Sequence, residues 1–376
     1  MNNFNTSVQK GVSLIETMVG LALGILVTLV ITQVWGLFEN QKQRSISGTT
    51  AQSSGLLALT GLEQDIRSAG AGLNSSAAFH CVNTYSYFVS GSTVVSPIPA
   101  YAGAMSMVPV QITDGGNDIN NSDTLTVKRG SDYLGAVAAT ITKTMPSSSS
   151  EINVSSTTGF SDDDIVLAVD SSSGNCTVMQ ITNVQTAALK LQHNPGGSVS
   201  YNAKIPFQKS NNWPAYPSDT KMLKIGSLLS HVYTVNNNQL SMTELTDPLT
   251  PASLQLASGI VSLQAQYGVA NTGSQNVSDW ITASAATGWN VLNADKVLRI
   301  KAIRLIIVAR SSKMEAANVS FPCALSATVV ANANGPCGWS DSEPLINLSA
   351  DKNWQRYRYR IYQSIIPIRN MIWANQ

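Results

Sequence analysis

The chain reads as α+β, a long N-terminal helix followed by a large antiparallel β-sheet domain, on three observations. An apolar run from Thr17 to Phe38 contains no ionisable side chain. The polar sequence that follows keeps a helical rhythm as far as Ala69. From Cys81 onward, apolar residues come in short runs broken by Gly, Asn, Asp and Pro, with no sustained helical period.

The apolar run is preceded at once by Lys10-Gly11-Val12-Ser13-Leu14-Ile15-Glu16. At about 1.5 Å per residue it spans roughly 30 Å, enough to cross a bilayer. Its one carboxylate, Glu16, needs a partner, because a lone ionised group in lipid is expensive. The simplest partner is an α-amino group on a neighbouring subunit, created by cleavage between Gly11 and Val12. A secretory signal peptide has its small-residue cleavage site after the apolar region, but here Glu39-Asn40-Gln41-Lys42 follows Phe38. A plain anchor explains the run but not the Gly-to-Glu spacing.

Beyond Phe38 come Glu39, Lys42 and Arg44, and then Leu56, Leu59, Leu62, Ile66 and Ala69 at three- or four-residue steps. This predicts an amphipathic continuation whose apolar face, Leu56 to Ile66, packs on a sheet. Gly48, Gly55 and Gly61 weaken it by about 1 kcal/mol each relative to Ala, which permits bending or local melting between Gly48 and Gly55. Gly70-Ala71-Gly72 is the expected stop. The organisation is thus a leader at 1–11, an apolar half-helix at 12–38, an amphipathic half at 39–73 and a β-rich head at 74–376.

Strands are expected at Thr124–Lys128, Ile165–Val169, Thr177–Thr182, Ala188–Leu191, Leu229–Val235, Gln239–Glu244, Val261–Tyr267 and Ile303–Ala309. Asn236-Asn237-Asn238 reads as a hairpin turn. A helical turn is expected within Trp289–Leu298, and the near-continuous apolarity of Ile303–Ala309 predicts burial on both faces. Arg356 to Tyr362 alternates strictly, which predicts a last strand with Arg356, Arg358 and Arg360 on one face and Tyr357, Tyr359 and Ile361 on the other. Pro367 ends the sheet for want of a ladder donor. Ser147–Ser150 and Asn194–Gly197 read as loops.

Lys and Arg number 23 against 22 Asp and Glu, so no global attraction to nucleic acid or membrane follows. Only 12% of residues are charged, as suits an exported surface covered by hydroxyls and amides. Behind a membrane-export signal, Cys81, Cys176, Cys323 and Cys337 predict two disulfides. Three pairings are open, with Cys323–Cys337 favoured as a local clamp beside Cys81–Cys176. No CxxC pair points to zinc.

His80, His193 and His231 form no HExxH-type pair, and neither a Walker loop nor a GxSxG elbow is present. An enzyme is not expected, nor is a cofactor. Asp162-Asp163-Asp164, and Asp114, Asp118 and Asp123, offer oxygens for calcium. Neither set has EF-hand spacing, and acidic turn clusters more often serve as caps. Arg356, Arg358 and Arg360, interleaved with tyrosines, suggest a polyanion or partner surface. The alternation favours a tyrosine core face, with arginines paired to carboxylates or facing a partner subunit, over nucleic-acid binding.

The N-terminal stretch resembles the class III signal of type IV pilins and pseudopilins. Gly11 matches the residue before the prepilin peptidase cut, Val12 the new, N-methylated N-terminus, and Glu16 the fifth mature residue, which registers subunits. The family more often has Phe where this chain has Val12. Asp65-Ile66-Arg67-Ser68-Ala69-Gly70, Asp123-Thr124-Leu125-Thr126-Val127, Leu263-Gln264-Ala265-Gln266-Tyr267-Gly268-Val269, and Tyr357-Arg358-Tyr359-Arg360-Ile361-Tyr362 through Pro367-Ile368-Arg369-Asn370 resemble the PilW-type minor pilins. The blocks Cys81–Asp118 and Asn194–Lys224 match no part of that family.

This resemblance implies a type IV pilin-like fold and a subunit that helps prime pilus assembly, sitting near the pilus tip. It implies as partners other minor pilins, the major pilin, a tip adhesin, prepilin peptidase and the inner-membrane assembly platform. Location would be the inner membrane, with a periplasmic head, before assembly and the fibre or tip afterwards. The alternatives are a minor pseudopilin of a type II secretion system, or a module binding DNA or a glycan directly.

Overall fold

The computed structural model describes residues 11, 13–73, 78, 81, 83–90, 93–95, 107–116, 121–131, 138–146, 151–195, 201–226, 228–245, 252–324, 330–341 and 345–373. Val12, His80, Asp118, Ser147–Ser150 and the Gly196-Gly197 end of the expected 194–197 loop lie outside them. The chain divides into two compact units, Met1–Thr50 and Ala51–Gln376.

Helix α1 runs from Leu14 to Ser68 without interruption. It stays helical between Gly48 and Gly55, so the local melting those glycines permit is not seen there. Gly55 serves packing, as shown below, and nothing lies within 4 Å of the Cβ position at Gly48 or Gly61. The helix ends where expected: Gly70 and Gly72 adopt φ of +74° and +75°, which glycine alone reaches without a Cβ penalty.

In chain order the head then contains β1 (Asn83–Tyr85), β2 (Phe88–Ser90), β3 (Thr93–Val95), β4 (Val110–Thr113), β5 (Thr124–Gly130), β6 (Ala139–Thr140) and β7 (Glu151–Asn153). There follow β8 (Ile165–Asp170), β9 (Asn175–Gln180), β10 (Asn183–Gln185), β11 (Lys190–Gln192), α2 (Ile205–Ser210), β12 (Lys221–Lys224), β13 (Leu228–Asn236) and β14 (Gln239–Glu244). The last third holds β15 (Ala252–Ser258), β16 (Ile260–Ala270), β17 (Val277–Ile281), α3 (Ala294–Arg299), β18 (Ile300–Arg310), β19 (Tyr359–Pro367) and α4 (Arg369–Trp373).

The large antiparallel β-sheet domain expected is present, divided among the described residues into several sheets built from strands of two to eleven residues. Two are wholly antiparallel and meet α1: β17-β16-β18-β19 and β15-β14-β13-β5-β4. A third, β1-β9-β8-β12-β6, contains one parallel pair, β1 with β9. The β13–β14 hairpin turns through Asn237 and Asn238, at φ of +50° and +59°. Two consecutive positive-φ residues match the right-handed twist of the strands they join.

One core gathers Ala58, Leu62, Ile66 and Ala69 of α1 with Leu125, Tyr233, Leu263, Tyr267, Ile303, Leu305 and Ile307. The opposite face of β16 and β18 is closed by a second cluster, in which Val261, Ile306 and Val308 meet Trp339, Ile346, Leu348 and Trp354. β18 is therefore buried on both faces, as its apolar run predicts, although the sheet is antiparallel. A third cluster fills the space between β8, β9 and β12 and the small sheet β10-β11-β7.

Three details depart from the sequence reading. Leu56 is 55% exposed rather than core. The buried stripe is Ala51, Gly55, Ala58, Leu62, Ile66 and Ala69, which the 3.6-residue period places to one side of Leu56. Leu189 takes φ +51° in a turn, so the strand expected from Ala188 begins only at Lys190. The final strand runs from Tyr359 rather than from Arg356, because the chain enters it through a 3-10 turn, Trp354–Arg356, anchored by the buried Trp354.

Candidate functional site

The N-terminal unit is a bare helix. Gly11 and Ser13 are exposed ahead of it, and Thr17 closes its first turn by donating N–H to the Ser13 carbonyl at 3.1 Å. Glu16 is in that first turn and exposed, where a carboxylate complements the positive helix terminus. From Leu14 to Phe38 the large apolar side chains lie open, and the most apolar window is wholly unburied. The hydroxyls within it are satisfied internally: Thr28 donates to the Ile25 carbonyl and Thr32 to that of Leu29, both at 2.9 Å. No hydroxyl among these needs water, so the surface suits lipid or other apolar helices. Gly20 and Gly24, four apart, have nothing within 4 Å of a Cβ position, and such spacing lets a second helix backbone come close. This signal was legible in sequence and was not part of the reading above.

In the head unit, α1 from Ala51 onward is fastened to the sheets by polar groups as well as by its apolar stripe. Asp65, almost buried, accepts at Oδ2 from Tyr233 at 3.0 Å and lies 2.8 Å from Nδ1 of His231. Its Oδ1 is 3.7 Å from Nε of Arg129. Glu63 pairs with Arg67 at 3.1 Å and accepts from Ser364. Asn370 donates to the Ala69 carbonyl at 2.9 Å, and the Gly70 N–H donates to the Lys128 carbonyl at 2.8 Å. Tyr362 donates to the Gln52 carbonyl at 2.8 Å, its ring so close that a Cβ at Gly55 would sit 2.1 Å from it. The Asp65-to-Gly70 signature thus closes the helix onto β5, β13 and α4.

The Leu263-to-Val269 stretch has a similar logic. Leu263, Ala265, Tyr267 and Val269 face the main core, and the Tyr267 hydroxyl accepts the Ile112 N–H at 2.6 Å. Asp123 accepts N–H groups from Ala265 at 2.7 Å and Gly115 at 3.1 Å. Burial pushes its carboxyl up to about 7 against the pull of those donors, and the Asp114 charge adds to the rise.

The aspartates of the 162–164 run are held by their surroundings. Asp162 accepts the Val184 N–H, Asp163 the Gln180 amide, and Asp164 the Ser161 N–H together with an ion pair to Lys224 at 3.0 Å. Among the described residues no group of three or more His, Cys, Asp or Glu side chains is gathered as for a metal ion. His193 and His231 stand apart, the first buried and the second beside Asp65. The disulfides join Cys81 to Cys176 and Cys323 to Cys337.

The expected arginine row is dispersed. Arg356, in the 3-10 turn, donates from Nε to the Glu315 carbonyl at 2.8 Å, and Arg358 meets the Glu315 carboxylate at 3.1 Å. Arg360 alone of the three is on β19, and it is exposed. The tyrosine side contributes to packing, with Tyr359 and Ile361 lying against the Trp339 and Trp354 cluster.

An open apolar helix joined to a sheet-built head fits a membrane-associated protein displaying a folded domain. Residues 231–370 match the family model of PilW, type IV pilus-assembly protein W. The matched span begins at His231 and ends at Asn370, and so holds several of the residues that grip α1. No curated protein and no solved structure matches the chain. The match supports a type IV pilus assembly-related protein associated with the pilus machinery.

Proposed function

We propose that this chain is a non-enzymatic minor pilin with a type IV pilin-like fold. Cleaved after Gly11 by prepilin peptidase and N-methylated at Val12, it enters the fibre through the apolar part of α1 and helps prime assembly near the tip. The observation that carries the reading is Glu16. It is the sole ionisable group between Gly11 and Phe38, fixed in the first turn of a helix whose apolar side chains are otherwise open. A carboxylate so placed needs a cation in an apolar bundle, and the new α-amino group of a neighbouring subunit supplies one. The head then presents its surface to other minor pilins, the major pilin and a tip adhesin, in the periplasm before assembly and outside the cell afterwards.

The test is Glu16→Ala in cells, followed in membranes and in sheared filaments. The expected result is normal amounts of cleaved protein in the membrane and loss from filaments. Incorporation at the normal level would defeat the registration role. Intact mass of the filament protein should give a chain beginning at methylated Val12, and a chain retaining Met1 in cells with active peptidase would reduce α1 to a simple anchor.

A further inference from the structure

The outer edge of β19 combines three features that no part of the assembly reading uses. β19 ends its sheet, and among the described residues its backbone hydrogen bonds run only to β18. An edge of this length is a template for one more strand. Tyr362 and Ser364 turn one face of β19 toward α1. On the other face Gln363 and Ile365, the latter 60% exposed, border a cavity of about 410 Å³ shared with Arg304, Trp339, Ser340 and Asp341.

Arg304 is unusually well fixed for a surface cavity. Its guanidinium lies over two indoles, 5.0 Å from the Trp280 ring and 4.6 Å from that of Trp339. Gly268 permits this, since a Cβ there would stand 2.6 Å from Trp280. Nε donates to Gln266 at 2.6 Å, and Nη1 reaches both oxygens of Asp341 at 3.0 and 3.1 Å. A planar cation stacked on aromatic rings bonds through its edge, the geometry that recognises carboxylates and that Asp341 uses here. Asp341 is 56% exposed, so an incoming carboxylate reaches Arg304 by exchanging with it at the rim, with no opening of the core. Arg360, on β19 and exposed, adds positive charge beside this edge, which favours an acidic partner further.

We propose that the β19 edge and the Arg304 cavity form a docking site for an extended acidic segment of a partner protein. The segment adds as a strand beside β19 and places one carboxylate against Arg304, in competition with Asp341. Main-chain pairing supplies sequence-tolerant affinity, and the cavity supplies selection for the acid. The site belongs to the head, so it stands or falls independently of cleavage and of Glu16.

The test uses the full chain in detergent micelles and two synthetic peptides of alternating Thr and Val, one with a central Glu and one with Gln in its place. Hydrogen exchange is followed over 359–367 and, as an internal control, over the edge strand 252–258. The Glu peptide should slow exchange over 359–367 alone and bind about tenfold more tightly than its Gln counterpart, the usual worth of one charge-assisted hydrogen bond. Arg304→Gln should erase that difference. Asp341→Asn, at an exposed position that does not threaten folding, should tighten the Glu peptide severalfold by removing the internal competitor. No slowing over 359–367, equal binding of the two peptides, or unchanged or weaker Glu binding by Asp341→Asn would each overturn the proposal.

Discussion

Replacing Gly55 by Ala would ordinarily stabilise a helix, by about 1 kcal/mol from propensity alone. Here the opposite is expected. The added methyl would lie 2.1 Å from Cε2 and 2.6 Å from Cδ2 of Tyr362, so the ring must move. Moving it strains the hydroxyl's bond to the Gln52 carbonyl, worth about 1 kcal/mol, and disturbs packing at a further cost of about 1–2 kcal/mol, because only the outer ring atoms are met. The net is a loss of about 1–2 kcal/mol after the propensity gain is subtracted. In a Tyr362→Ala background the obstacle is gone, and Gly55→Ala should stabilise by up to about 1 kcal/mol. The substitution therefore changes sign between backgrounds, a coupling of roughly 2–3 kcal/mol. Denaturant unfolding of the four proteins in detergent, followed by near-ultraviolet circular dichroism, measures it. Stabilisation by Gly55→Ala in the wild-type background, or coupling below about 0.5 kcal/mol, would refute the reasoning.

Three further outcomes follow from the head. Asp65→Ala takes from His231 and Tyr233 the carboxylate they share; it should lower head stability by about 3 kcal/mol in the same unfolding assay, with Asp65→Asn milder. Cys81–Cys176 closes a separation of 95 residues and Cys323–Cys337 one of 14. Replacing the first pair by Ser should therefore cost more, about 4–5 against 3 kcal/mol, read as the order of two denaturation midpoints. His193 is buried with Nε2 unpartnered among the described residues, and burial lowers its pKa from 6.5 to about 4. Between those pH values the unfolded chain binds a proton that the folded chain refuses, so stability falls as pH drops through the window, at up to about 1.4 kcal/mol per unit. His193→Gln should flatten that part of a stability-against-pH profile.

The helix, its stop at Gly70, the two-sided burial of Ile303–Ala309 and the isolation of Glu16 were legible in the sequence. Each rests on a rule spanning a few neighbours: apolar residues at three- or four-residue steps, alternation, a glycine where φ must be positive, a count of charges. The same local rules misplaced Leu56 and Arg356. The centre of a buried helical stripe depends on what faces it, and a perfect Arg/Tyr alternation cannot reveal that Trp354 draws the chain into a turn first. The polar edge strands β15 and β17 escaped for a related reason, since Ser, Gln and Asp on an open edge leave little apolar pattern to read.

Tertiary structure alone brought Asp65 to His231, 166 positions away, and Gln52 to Tyr362, 310 positions away. It also placed Arg304 over Trp280 and Trp339 at the rim of a cavity beside a strand that ends its sheet among the described residues. Such contacts depend on strand order and register, which the long connections between β5, β13, β18 and β19 leave open until the sheets close. The sequence by itself determined that the chain carries an apolar helix headed by a single carboxylate, because hydropathy and charge are properties of residues. The fold decided which residues grip that helix and where a partner can dock, because those are properties of distances between residues far apart in the chain.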